Sequence, residues 1–200
     1  MNRYYDIKLI IIGDSKTGKS TFINQIINNK YKNIYEPTIG VDFYTNKKYI
    51  NNNKIILNIW DISGDKQFQN YTETYIRNST FALIFFDINN EESFYNLRKW
   101  YNRVKTLCPN ILNIVLIGSK IDIYKDKIDF CSIKSISKEY NVKFFLISSK
   151  DKKNINKPIN YLLNSIDFQN IDYYKKIGIN KIDVKLDENN QYEDYCCNIF

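Results

Sequence analysis

The residues best suited to chemistry form one run, Gly13-Asp14-Ser15-Lys16-Thr17-Gly18-Lys19-Ser20, which fits the pattern GxxxxGK[ST]. A loop of this kind turns several backbone N–H groups toward one point. With the positive end of a following helix, it makes a cradle for phosphate oxygens. In such a cradle Lys19 would neutralise the β- and γ-phosphates, and Ser20 would give its hydroxyl to Mg²⁺. The run points to phosphate and leaves open what the phosphate is attached to. Four more polar clusters follow down the chain: Thr38-Ile39-Gly40-Val41-Asp42-Phe43, Trp60-Asp61-Ile62-Ser63-Gly64, Ser119-Lys120-Ile121-Asp122 and Ser148-Ser149-Lys150. The chain contains no His, which excludes Ser-His-Asp hydrolysis and imidazole-based zinc chemistry.

A phosphate loop must be held between a strand and a helix, and the flanks supply both. Ile7 to Ile12 is an apolar run ending at Gly13, which reads as a buried parallel strand. Similar runs at 54–60, 81–86, 114–117 and 143–147 are each followed by a polar turn and a helical pattern. Helices are expected at 19–29, as a short piece around 67–78, and at 91–107, 132–140 and 154–166. In the third, Phe94, Leu97, Tyr101, Val104 and Leu107 recur at steps of three and four. Segment 41–50 alternates like a strand, and Asn51-Asn52-Asn53 turns it back as a hairpin. The expectation is a doubly wound α/β fold with a six-stranded, mostly parallel sheet, one antiparallel edge strand and helices on both faces. Ligands of such a fold bind at the carboxyl ends of the strands.

With 200 residues, 44% of them hydrophobic, the chain suits one domain with a sizeable core. No apolar stretch approaches the roughly 20 residues of a membrane span. The start, MNRYYDIKLI, lacks an apolar signal core, so a cytosolic origin is expected. Cys108 and Cys131 are isolated, and Cys196 and Cys197 adjoin near the end, a spacing that fits neither a disulfide framework nor zinc. The net charge of +7 comes from scattered Lys residues, so nucleic acid is not an expected partner. Apolar periodicity fades near Phe168. Residues 168–200 hold four Lys against six acids, a local charge of −2, which leaves +9 on the rest. The expected organisation is a domain over 1–168 and a flexible tail over 169–200.

The order of these clusters, above all TIGVDF at 38–43, resembles a small GTPase of the Ras superfamily, specifically the Rab branch. The likeness covers roughly residues 5–168 and the tail cysteines, and it implies a P-loop G domain that switches between GTP and GDP with Mg²⁺. Carried over residue by residue, Ser15, Lys16, Thr17, Gly18 and Thr21 join Lys19 and Ser20 around the phosphates. Thr38 would bind Mg²⁺ and sense the γ-phosphate, Asp61 would hold Mg²⁺ through water, and the Gly64 N–H would meet the γ-phosphate. Loss of that phosphate would release both loops. Tyr31 would lie over the guanine, with Lys120 against the ring and the Ser149 N–H on its oxygen. Ser148 would brace that loop beside Lys150. Asp122 would accept hydrogen bonds from guanine N1 and N2, which adenine lacks. Such buried bonds discriminate by about 10⁴ or more. Phe43, Trp60 and Tyr75 match an effector-reading aromatic trio, though plain core packing accounts for such residues equally well.

The resemblance also implies GTPase chemistry with Lys19, Gly64 and Asp65 as the reacting surround. Here the sequence departs from the family. Asp65 stands where a Gln normally orients the attacking water, so slow hydrolysis is expected, or nearly none. Ser119 replaces an Asn that ties the base to the phosphate loop, which predicts weaker nucleotide binding if a buried partner is left unsatisfied. Lys16 brings an extra cation into the loop, either strengthening phosphate binding or crowding an activating protein. The ending Cys196-Cys197-Asn198-Ile199-Phe200 reads as a prenylation signal on Cys197, or on both cysteines as in Rab endings. Two chains anchor far better than one. The likeness implies a monomer that cycles between cytosol and the cytoplasmic face of a Golgi, endosomal or other vesicle membrane. Exchange factor, activating protein, dissociation inhibitor or escort, and effectors are its implied partners, and vesicle-mediated protein transport its implied role. A P-loop kinase or ATPase would share the loop but would have no use for Asp122, TIGVDF or the terminal cysteines.

Overall fold

The computed structural model describes residues 2–31, 35–50, 53–168, 179–184 and 197–198. In it the apolar runs become strands of one sheet. These are β1 (Asn2–Gly13), β2 (Val41–Ile50), β3 (Asn53–Ile62), β4 (Phe81–Asp87), β5 (Asn113–Ser119) and β6 (Lys143–Leu146), lying side by side in the order β6-β5-β4-β1-β3-β2. β2 runs antiparallel to β3, with Val41 opposite Ile62 and Ile50 opposite Asn53, and the other neighbours in this series are parallel. β4 is apolar without alternation because it is covered on both faces: every residue from Phe81 to Phe86 is buried. This is the six-stranded mixed α/β sheet expected from the sequence.

Helices α1 (Lys19–Asn28), α2 (Glu73–Ile76), α3 (Glu91–Tyr95), α4 (Leu97–Leu107), α5 (Phe130–Glu139) and α6 (Lys157–Asn164) cover the two faces. The period-two geometry of β1 divides its side chains between two cores. Ile7, Leu9 and Ile11 pack with Phe22 and Ile23 of α1 and with Ile159, Leu162 and Leu163 of α6. Ile10 and Ile12 pack with Phe94 of α3, with Leu97, Trp100 and Val104 of α4, and with Ile133 of α5. Among the described residues, no helix is long and apolar enough to cross a membrane.

Three features differ from the sequence expectation. The helix foreseen over 91–107 is interrupted at Asn96, whose side-chain amide reaches Asp14 in the phosphate loop. The one foreseen over 67–78 is a 3₁₀ turn, Lys66–Phe68, followed by the single turn of α2. The sheet also gains two short strands from beyond residue 168. β7 (Asn180–Val184) pairs antiparallel with the start of β1, Asn180 opposite Asp6 and Val184 opposite Asn2, and the preceding Ile179 is fully buried. β8 (Cys197–Asn198) pairs with β2 at Phe43 and Asp42. The remainder of the expected tail, Cys196 included, lies outside the described residues.

Candidate functional site

β1 delivers the phosphate loop to the carboxyl edge of the sheet. At its end Gly13 has φ 139°, and a Cβ there would collide with the Phe85 carbonyl on β4. The chain then crosses Gly18, at φ 87°, and enters α1, whose first-turn N–H groups have no side-chain cap. That leaves them for an anion. Lys19 is buried and donates to the carbonyls of Gly13 (3.0 Å) and Asp14 (2.9 Å). Burial pushes its ammonium below the usual lysine range, and the charges of Asp61 and Asp14 oppose that shift. Thr17 closes the loop by donating to the Asp14 carbonyl at 2.7 Å. The Asp14 carboxylate accepts from Asn96 Nδ2 and from Trp100 Nε1, each at 2.7 Å, so α4 holds the loop from outside.

Ser20, Thr38 and Asp61 are widely separated in sequence and meet beside Lys19. Ser20 Oγ donates to Asp61 Oδ2 at 2.5 Å and lies 3.0 Å from Thr38 Oγ1, which is itself 3.4 Å from the same carboxylate oxygen. The other oxygen, Asp61 Oδ1, is buried with no hydrogen-bond partner among the described residues. Burial, with Asp42 adding to it, pushes this carboxyl up to about 6, against the pull of Lys19 and the bonds from Ser20 and Thr38. A buried carboxylate with one oxygen unsatisfied and two hydroxyls gathered at the other suits a hard divalent cation that takes oxygen ligands and keeps some of its water. Among the described residues, no three of His, Cys, Asp or Glu cluster as a protein-only metal cage.

On the other side of the loop is a cleft of about 100 Å³ lined by Gly18, Thr21, Tyr31, Ser119, Lys120, Asp122, Ile123, Ser149 and Lys150. β5 ends at Ser119. Lys120 follows in the left-handed region, φ 64°, and a 3₁₀ turn, Ile121–Ile123, carries Asp122. Lys120 forms an ion pair with Asp87 at the end of β4, 2.7 Å. Ser148 is buried, and its hydroxyl accepts from the Asp151 N–H at 3.0 Å. Ser119 keeps the tie whose loss the sequence suggested. It is buried, and its hydroxyl lies 2.6 Å from the Thr17 carbonyl and 3.0 Å from that of Phe86. Its single hydrogen serves one of them at a time.

Gly64 lies against the phosphate loop so closely that a Cβ would run into the Ser15 amide and the Gly13 carbonyl. The next residue, Asp65, turns both carboxylate oxygens to Gln67, one accepting its backbone N–H and the other its side-chain amide, each at 3.2 Å. Ser63, given no role from sequence, is buried and accepts the Asp65 N–H at 3.3 Å. Exposed Lys16 has φ 65°, and its ammonium lies 5.6 Å from the centre of the Tyr35 ring. Phe43, Trp60 and Tyr75 form one row of half-buried rings, with centroids 4.8 and 5.4 Å apart and Lys8 over the middle one. Cys197 lies on β8, opposite Phe43 in register.

Sequence reasoning missed Asp14, Asp87 and Gln67 as second partners. Asp87 carried a usable signal, since it is the acid that ends the Phe81 to Phe86 run at the strand edge where ligands bind. Asp14 and Trp100 carried none, because 86 positions separate them. Compared with known families, residues 8–168 match the model described as the Ras family.

Proposed function

Because this chain belongs to the Ras family of GTP-binding switches, we propose that it is a Rab-type, membrane-anchored GTP/GDP switch in vesicle traffic that hydrolyses GTP slowly. The observation that carries the nucleotide reading is the pair of sites joined by the Ser119–Thr17 bond. On one side stand Lys19, Ser20, Thr38 and Asp61, and on the other the cleft holding Lys120 and Asp122. Their common loop would place phosphates and base in one ligand. Asp122 selects guanine by accepting two hydrogen bonds that adenine does not offer, and Lys120, fixed by Asp87, covers the ring. Ser20 and Thr38 would hold Mg²⁺, with Asp61 through water. When bound, that ion neutralises charge on the phosphate oxygens.

The switch follows from where the sensing residues sit. Thr38 and Gly64 lie on two loops touching the same phosphate loop, so removal of the γ-phosphate takes a bond from each. Asp65 supports slow turnover. An ionised carboxylate only accepts hydrogen bonds, and it faces an anionic phosphate with repulsion where an amide would donate. Both oxygens are already engaged by Gln67, which favours a second reading of the same fold, a nearly non-hydrolytic module signalling by occupancy. The Rab assignment rests on TIGVDF, the aromatic row and the paired cysteines. Prenyl groups on Cys196 and Cys197 would anchor the chain to the cytoplasmic face of a vesicle membrane. The acidic tail gives lipid charge little hold, so exchange factor, activating protein, escort and effectors would set its location.

Three measurements test this reading. Nucleotide released from freshly purified protein should be guanine, and calorimetry with Mg²⁺ should show heat for GTP and none for ATP. Phosphate release with and without a GTPase-activating extract then separates slow hydrolysis from none. ATP binding as strong as GTP binding would sink the assignment.

A further inference from the structure

Lys16 stands where the phosphate loop has φ 65°, a conformation that glycine adopts freely and that side chains take with strain. The chain nevertheless spends this position on a long cation. Three residues on, Lys19 is turned into the loop onto the Gly13 and Asp14 carbonyls, whereas Lys16 is exposed on the outer side. Among the described residues no carboxylate pairs with it. Its one contact of note is the ring of Tyr35, 5.6 Å from ammonium to centroid, within the range at which a cation is held over an aromatic face. Tyr35 is half exposed and lies three residues before Thr38, whose hydroxyl meets that of Ser20 at the end of the loop's motif. The Lys16–Tyr35 contact therefore bridges the two segments that would flank a bound phosphate chain.

We infer that Lys16 is a second cation for the phosphates, held in place by Tyr35, and that this bridge slows nucleotide release. The inference rests on the guanine-nucleotide reading above and goes beyond it in assigning a residue that the loop pattern leaves free. A strained backbone position is tolerated because its side chain supplies charge close to a polyanion. The same charge accounts for the bridge being built from a Lys and an aromatic ring: the ring positions the ammonium without neutralising it.

The test is displacement of fluorescent GDP from the full chain with Mg²⁺ present. K16M keeps the strained backbone and side-chain length but removes the charge, and it should release nucleotide about twofold to fivefold faster, as loss of one partly exposed ionic contact predicts. K16G relieves the strain and should be as fast as K16M, while K16R should restore slow release. Y35L should give part of the acceleration, and K16M/Y35L should be no faster than K16M, since one bridge is lost in either case. Raising salt from about 0.05 to about 0.5 M should shrink the gap between wild type and K16M. Wild-type release rates in K16M, or effects of K16M and Y35L that multiply independently, would overturn the inference while leaving the nucleotide reading intact. A wild type that binds no guanine nucleotide removes that reading, and the inference with it.

Discussion

At the scale of single residues, the nucleotide end of the sheet sets charge against hydrogen-bonding capacity, and two substitutions separate them. Asp65→Gln replaces an acceptor-only group with one that can also donate. Single-turnover hydrolysis should rise about tenfold or more, each factor of ten being about 1.4 kcal/mol of transition-state stabilisation. An unchanged rate would mean that Asp65 is not what limits turnover. Ser119→Ala withdraws the one hydroxyl shared by the Thr17 and Phe86 carbonyls. With a buried acceptor left short, it should cost about 1–3 kcal/mol in denaturant unfolding and speed GDP release. The Ser119 outcome shows why some of the site was illegible. Its identity signalled a lost amide, but whether a shorter side chain still reaches the loop depends on backbone approach, which no local pattern reports. Lys19, Ser20 and Asp122 were legible for the opposite reason: the spacing of a phosphate loop, and the polar ends of apolar runs, encode position directly.

At the scale of elements, strands were read more faithfully than helices because burial on both faces writes a continuous apolar run, as in β4. The interruption between α3 and α4 left no such mark. It arises where Asn96 and Trp100 turn toward Asp14, so a helix and the phosphate loop brace each other. Trp100→Phe keeps most of the packing volume and removes one donor. It should lower stability by about 1–3 kcal/mol and also quicken nucleotide release, a pairing that a purely packing role would not produce. Within β1, burial raises the Asp6 carboxyl above its usual 3.8, while Asn58 Nδ2 donates to it. The fold therefore favours the protonated acid. That contribution is fully present below the ordinary value and is lost as pH rises through the raised one. Asp6→Asn, which keeps an acceptor for Asn58, should melt above wild type at pH 7, with the gain shrinking toward pH 4 in a series of thermal melts.

At the scale of the whole molecule, the chain beyond residue 168 adds two short strands to the sheet; the signal for the first is in the sequence, where Ile182, Val184 and Leu186 alternate with Lys181, Asp183, Lys185 and Asp187, but so short a run amid Asn-, Tyr- and acid-rich segments does not stand out as an element. Ile179, at the entry to this strand, packs into the core of Ile7, Ile55 and Ile166. Its position divides the molecule functionally. From Asp6, where β7 begins, to Gly13 is seven residues of extended chain, roughly 23 Å at 3.3 Å per residue. The strand addition therefore lies at the opposite end from the phosphate loop. Ile179→Ala leaves a cavity at a fully buried site and should cost about 2–5 kcal/mol, read as a lower denaturation midpoint with an unchanged slope. Fluorescent-nucleotide release, governed at the other end by Ser119, Thr17 and Lys19, should stay at the wild-type rate. Loss of stability without faster release places the segment in the scaffold. Faster release would show that the two ends are coupled through β1, and wild-type stability would show that β7 adds nothing to the fold.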